Sequence, residues 1–232
     1  MFDVTPHDVL VLGLDSRGRA ACDYLRRCGA RVSALAEGNA PELEQSVAEL
    51  RASGVEVTLG AVKPALRLFA LGVVSPVVRA ESPLLQSAAR QQMPLLGELE
   101  LGFQQARCLT IAIAGTNGKS TTASLVERIL ASNNRQVVIC GHGARPISSV
   151  IEQTRELDFL VLPVQASQLE RTQFFRPSVA VLLNLASSHR ATHPSAEAYA
   201  AACARLMRQQ QVFDWAILQS EALACLRKLE LP

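Results

Sequence analysis

The stretch IAIAGTNGKSTTASLVERIL, residues 111–130, decides how the rest of the chain is read. Small and branched apolar residues lead into a turn bracketed by Gly115 and Gly118. A lysine, three hydroxyl residues and an amphipathic run follow. That order predicts a strand, a phosphate-cradling turn and a helix. The glycines let successive backbone N–H groups turn inward, and a helix starting at Lys119 adds its partial positive charge. Lys119 supplies a point charge for terminal phosphates, and Ser120 or Thr121 offers a hydroxyl to Mg²⁺. The strict P-loop pattern places glycine where Ile113 stands, yet its physical parts are present. Gly115, Thr116, Asn117, Gly118, Lys119, Ser120 and Thr121 are therefore the expected nucleotide-binding residues.

Outward from this turn, short runs rich in Val, Ile and Leu alternate with helical patterns. Strands are expected over 9–14, 31–36, 55–59, 67–75, 109–114, 136–140, 159–164, 179–183 and 215–218. Helices are expected over 18–27, 41–53, 82–91, 119–133 and 195–210. In the helix after the glycine turn, Leu125, Val126, Ile129 and Leu130 form one apolar stripe. Continuous apolar strands separated by helices call for parallel, doubly wound sheets. The segment 92–108 reads as a connector and helix between two units that each open with strand, glycine turn and helix. The expectation is an α/β protein with a Rossmann-like N-terminal domain over 1–92. A partial P-loop-containing doubly wound domain follows over 93–232.

Composition narrows the function classes. The chain has 232 residues, 49% of them apolar and 19% charged, with a net charge of +2. No run of about 18 apolar residues occurs, so no membrane span is expected. The small charge, with no Lys/Arg cluster interleaved with aromatics, argues against nucleic acid. Six scattered cysteines without a C-x-x-C spacing fit reduced thiols and a cytoplasmic protein. Trp215 reads as core, Ser195 as a helix N-cap with His193 flanking it, and Cys203 as an inert thiol in an alanine-rich helix.

The first glycine turn, VLGLDSRG over residues 11–18, puts Asp15 where the dinucleotide fingerprint has its middle glycine. That glycine normally allows close approach of a pyrophosphate, which a carboxylate opposes. Gly13 and Gly18 serve either a tight strand-to-helix turn or a nucleotide-like ligand. Glu37 stands where an acid would meet a ribose.

AGTNGKSTT (114–122) resembles the P-loop of the Mur ligases, ATP-dependent enzymes that add amino acids to the peptidoglycan precursor. The likeness extends to VLVLGLDSRGRAACDYLRRCGARV (9–32), VVSPVVRAESPLLQSAARQQMPLLGELEL (73–101), LPVQASQLERTQFFRPSVAVLLNLASSH (162–189) and HPSAEAYAAACARL (193–206). Its nearest branch is that of the D-glutamate-adding ligases. The resemblance implies ATP and Mg²⁺ as cofactors and a UDP-sugar-peptide-like substrate. The implied reaction is phosphorylation of a carboxylate, followed by displacement of phosphate from the acyl phosphate by an amine. It assigns catalysis to Lys119 and His189, metal binding to Ser120, Thr121 and His189, and a nucleotide contact to Asn184. Substrate contacts fall to Ser16, Arg17, Glu37 and His142.

The departures fall where the chemistry belongs. Pro163 stands at the place of a metal-binding glutamate, and Gln165-Ala166 replace paired serines. Ser188 replaces an aspartate before His189, Cys203 replaces a carbamylated lysine, and Val77 replaces the glycine of an S-P-G turn. The chain also stops before the family's amino-acid-binding domain, which a longer parent or a partner would supply. The expectation is an ATP-binding relative of the ligase, impaired or inactive alone. A non-catalytic nucleotide-binding homologue with a regulatory or scaffold role is the alternative, and a generic P-loop phosphohydrolase the third.

Overall fold

Val9, Leu10, Val11 and Leu12 are all fully buried, which a strand achieves only when both faces of its sheet are covered. They form β1 (Asp8–Leu12), the centre of the first of two parallel sheets. The computed structural model describes residues 7–38, 44–63, 68–142, 145–186 and 193–230. It divides into two units, Met1–Gln105 and Ala106–Pro232.

In the first unit, β1 leads to α1 (Ser16–Arg27), β2 (Arg31–Ala36), α2 (Glu44–Ala52), β3 (Glu56–Leu59) and β4 (Leu71–Val74). Then come α3 (Pro83–Arg90), β5 (Leu95–Gly97) and α4 (Glu98–Gln105). The strand order is β3-β2-β1-β4-β5, with every pairing parallel. Leu10, Leu12, Leu35, Val74, Leu84 and Ala88 share one core cluster. β5 is a strand that periodicity does not announce, because a three-residue run is too short for a period. It pairs with β4, Gly72 opposite Leu95. The first unit runs to Gln105, within the connector expected over 92–108.

The second unit comprises β6 (Leu109–Ala114), α5 (Lys119–Ser132), β7 (Val137–Ile139), β8 (Phe159–Pro163), α6 (Ala166–Leu169), β9 (Val179–Leu182), α7 (Ala196–Ala204), β10 (Trp215–Leu218) and α8 (Ser220–Lys228). Two 3₁₀ turns, Ile147–Ser149 and Ile151–Arg155, precede β8. The order is β10-β9-β6-β8-β7, again all parallel. The chain leaves central β6 for β7 and β8 on one side, then crosses to β9 and β10 on the other. That reversal opens a crevice beyond the C-terminal end of β6, where open α/β sheets bind ligands. Ile111, Ile113, Ala123 and Val161 form the core beneath α5, with Val126 and Leu130 packed on it.

Three expectations change here. Leu125 and Ile129 leave the α5 stripe, at 55% and 62% exposure, because only Ala123, Val126 and Leu130 turn toward the sheet. The helix expected over 195–210 ends at Ala204 and gives way to turns, and α8 is an addition. Trp215 is not core: it is 72% exposed, because β10 is the edge of its sheet. Among the described residues, no helix is long and apolar enough to cross a membrane.

Candidate functional site

The turn after β6 holds its shape through left-handed glycines and an asparagine just beyond the end of β9. Gly115 has φ +141° and Gly118 φ +86°, values that L side chains rarely adopt. Leu183 N–H donates to Ala114 O (3.0 Å) and Thr116 N–H to Asn184 O (3.1 Å), tying the exit of β9 to the turn. Asn117 N–H donates to Asn184 Oδ1 (2.9 Å), and Asn184 Nδ2 donates back to Asn117 O (3.1 Å). Thr116 Oγ1, buried, donates to Tyr199 Oη (3.3 Å) and accepts from Ala186 N–H (2.9 Å). Asn184, expected to contact nucleotide, bonds the loop backbone through its side chain.

The loop delivers the N-terminus of α5 uncapped. Gly118 is its N-cap and no side chain closes it, whereas Asp15, Ser82, Ser195 and Gln219 cap α1, α3, α7 and α8. The first-turn N–H groups have no intrahelical acceptor, so they are available to an anion. Lys119 Nζ donates to Gly115 O (2.7 Å) and Thr116 O (3.0 Å), which holds the ammonium over the same turn. Partial burial lowers the Lys119 pKa from its ordinary value, and nearby Cys203 acts in the opposite sense. Open N–H donors and a poised cation fit a polyphosphate. Ser120 and Thr121 are exposed in the first turn, where their hydroxyls suit a hydrated Mg²⁺ that arrives with the nucleotide.

Beside the loop lies a cavity of about 70 Å³ lined in part by Lys119, Gln165, His193 and Tyr199. Pro163 ends β8, buried, and its carbonyl accepts from His142 N–H (2.7 Å). The Gln165 amide donates to His142 Nε2 (3.0 Å). An amide–imidazole pair therefore stands near the place the resemblance gives to a metal-binding glutamate and two serines. His142, expected to meet substrate, is tied to this pair. Among the described residues, no group of three or more His, Cys, Asp or Glu could hold a metal. His189 and Ser188 lie outside the described residues.

Across the cavity, buried His193 sits with Nε2 3.3 Å from Glu170 Oε1. Its ring meets Tyr199 edge-on, with centroids 5.3 Å apart. Burial pushes the Tyr199 hydroxyl up to about 12 and the Cys203 thiol up to about 11. Tyr199 and the His193–Glu170 pair are absent from the sequence reading. The available signal was a lone tyrosine in an alanine-rich helix.

In the first unit, Asp15 caps α1, accepting from Gly18 N–H (3.1 Å) and from Ser75 Oγ (2.5 Å). Arg17 Nη1 lies 3.7 Å from Asp15 Oδ2, and Ser16 is exposed. Glu37 Oε1 accepts from Ser82 Oγ (2.5 Å) and Leu84 N–H (3.3 Å), closing the start of α3. The four expected substrate residues are thus distributed, with Ser16, Arg17 and Glu37 in one unit and His142 in the other.

Comparison with known proteins follows this geometry. The family described as Mur ligase middle domain matches residues 113–228. The UDP-N-acetylmuramoylalanine--D-glutamate ligase of Koribacter versatilis is 34% identical over 96% of the chain and 49% of its own length. That of Acidobacterium capsulatum is 36% identical over 92% of the chain and 46% of its own length. The chain spans about half the length of the curated relatives it matches. Among solved structures, the UDP-N-acetylmuramate:L-alanyl-gamma-D-glutamyl-meso-diaminopimelate ligase from Neisseria meningitides superposes with TM-score 0.62 at 18% identity. The match covers 97% of this chain and 75% of that one. A murein peptide ligase from Psychrobacter arcticus gives TM-score 0.57 at 15% identity, covering 96% and 51%. These two likenesses concern the fold.

Proposed function

The chain belongs to the Mur ligase family, and on that premise we propose that its second unit binds ATP on the loop from Gly115 to Thr121 while supporting amide ligation poorly by itself. The observation behind this reading is the uncapped α5 N-terminus, with Lys119 Nζ held above the turn. Backbone N–H groups of the first turn receive phosphate oxygens, Lys119 balances the terminal charge, and Asn184 keeps the loop in register. Mg²⁺ accompanying the nucleotide supplies charge neutralisation during phosphoryl transfer. Ser120 or Thr121 would hold it.

Transfer to a carboxylate is the weaker part. Pro163, Ser188 and Cys203 occupy the places where the resemblance puts a metal-binding glutamate, an aspartate and a carbamylated lysine. A proline ring and a protonated thiol offer Mg²⁺ no hard oxygen ligand, and a serine hydroxyl offers no negative charge. This same observation favours the second reading, a nucleotide-binding homologue that regulates or scaffolds instead of ligating. Ligation onto D-glutamate is what the relatives' names state of them.

Calorimetric titration with ATP·Mg²⁺ tests the first claim, Lys119→Ala being expected to weaken binding at least about tenfold. Unchanged binding in that variant overturns the loop assignment. Phosphate release assayed with ATP, UDP-MurNAc-L-alanine and D-glutamate tests the second. Sustained turnover by this chain alone would overturn the impaired reading.

A further inference from the structure

The two units present the same device, a helix N-terminus at the C-terminal edge of a parallel sheet, in opposite states. In the second unit that end is a glycine with no side-chain cap. In the first unit it carries a carboxylate. We infer that Asp15 is a built-in anion that closes the α1 N-terminus to phosphorylated ligands, so the first unit takes no nucleotide pyrophosphate at that turn.

Asp15 has φ −67° and ψ −177°, which directs its side chain back over the first turn of α1. Oδ1 accepts from Gly18 N–H at 3.1 Å and from Ser75 Oγ at 2.5 Å, and Arg17 lies 3.7 Å from Oδ2. A carboxylate thus takes donors that a phosphate oxygen would need. Close packing also fixes the conformation of this turn. A Cβ on Gly18 would sit 1.9 Å from Gly13 O, and one on Gly13 2.8 Å from Val78 Cγ2. The carboxylate of Asp15 therefore cannot be carried aside by a shift of the turn. Two unit charges a few ångströms apart repel strongly near a protein surface.

The neighbouring helix repeats the arrangement independently. Glu37, from the end of β2, accepts from Ser82 Oγ and Leu84 N–H at the start of α3. Two helix starts in this unit are therefore closed by carboxylates of the unit itself. Asp15 is the specificity-determining residue, and the UDP-sugar-peptide implied by the resemblance loses its phosphate seat. This inference is independent of ATP binding in the second unit.

The test is calorimetric titration of the full chain with UDP, in a Lys119→Ala background so that the second unit's loop does not report. Asp15→Asn and Asp15→Ser keep an acceptor for Gly18 N–H and remove the charge. Both are expected to bind UDP at least about tenfold more tightly than the parent. Uridine, which has no phosphate, should show no such gain. Equal UDP affinity in parent and variants overturns the inference, as does an equal gain for uridine. A measurement on the unsubstituted chain guards against variants that do not fold. The amide resonances of Ser16, Arg17 and Gly18 should stay in place with UDP up to about 1 mM. Saturable shifts there would overturn the inference directly. ATP titration of the Lys119 chain reports separately on the second unit.

Discussion

Asn117 and Asn184 hold each other through two hydrogen bonds, Asn117 N–H to Asn184 Oδ1 at 2.9 Å and Asn184 Nδ2 to Asn117 O at 3.1 Å. The pair fastens the glycine loop to the chain leaving β9, so loop geometry depends on a residue far away in sequence. Asn184→Ala removes both bonds, each worth about 1 kcal/mol. The expected result is roughly tenfold weaker ATP binding and a melting temperature lower by a few degrees. Calorimetry and a thermal melt check it. Full ATP affinity in Asn184→Ala would mean that the loop keeps its shape without the brace.

Gly18 allows the closest approach in the first unit. An added Cβ would meet Gly13 O at 1.9 Å, and a backbone carbonyl cannot swing away as a side chain can. Gly18→Ala should cost more than about 3 kcal/mol, beyond the usual range for a point substitution. Urea unfolding followed by circular dichroism measures it. Near-parental stability would show that the turn relaxes easily.

Alkaline pH should weaken the fold from about pH 9 upward. Burial raises Cys203 from 9.0 to about 11, Tyr199 from 10.0 to about 12 and Cys22 from 9.0 to about 12. The folded chain therefore keeps protons that the unfolded chain releases. Their stabilising contribution is whole below the unfolded values and is lost as pH rises through the folded ones. Cys203→Ala should lose less stability than the parent between about pH 9 and 11. Urea midpoints across that window decide the matter. Parallel curves for parent and variant would remove Cys203 from the explanation.

Trp215, the only tryptophan in the chain, is 72% exposed on edge strand β10. Its emission should lie near that of a free indole and be quenched readily by acrylamide. Trp215→Ser should shift stability by no more than about 0.5 kcal/mol. A blue-shifted, protected emission would place the ring under cover.

Much of the fold was legible because buried parallel strands leave a strong trace. Arg31–Ala36, Leu109–Ala114 and Trp215–Leu218 are found where the apolar runs predict them. Leu95–Gly97 left no such trace, since its strand character comes from pairing with β4. The glycine loop was readable for a related reason. Gly115 and Gly118 answer a local demand for positive φ, and Lys119 follows them directly in the chain. The proximity of Tyr199, His193 and Glu170 was not readable, because it depends on α6 and α7, which follow different strands, coming together.

What the sequence determined by itself, then, is what short-range sterics and periodicity encode. That covers two units of alternating strands and helices and a glycine turn followed by a lysine; the places of Pro163 and Cys203 come instead from the family resemblance. Tertiary structure decided which polar groups neighbour one another. It turned Asn184 into a brace and joined Gln165 to His142. It left Trp215 at an edge, and it set Asp15 and Glu37 against the starts of two helices. Hydrogen-bond partners and burial arise from contacts between segments distant in the chain, and no local pattern records them.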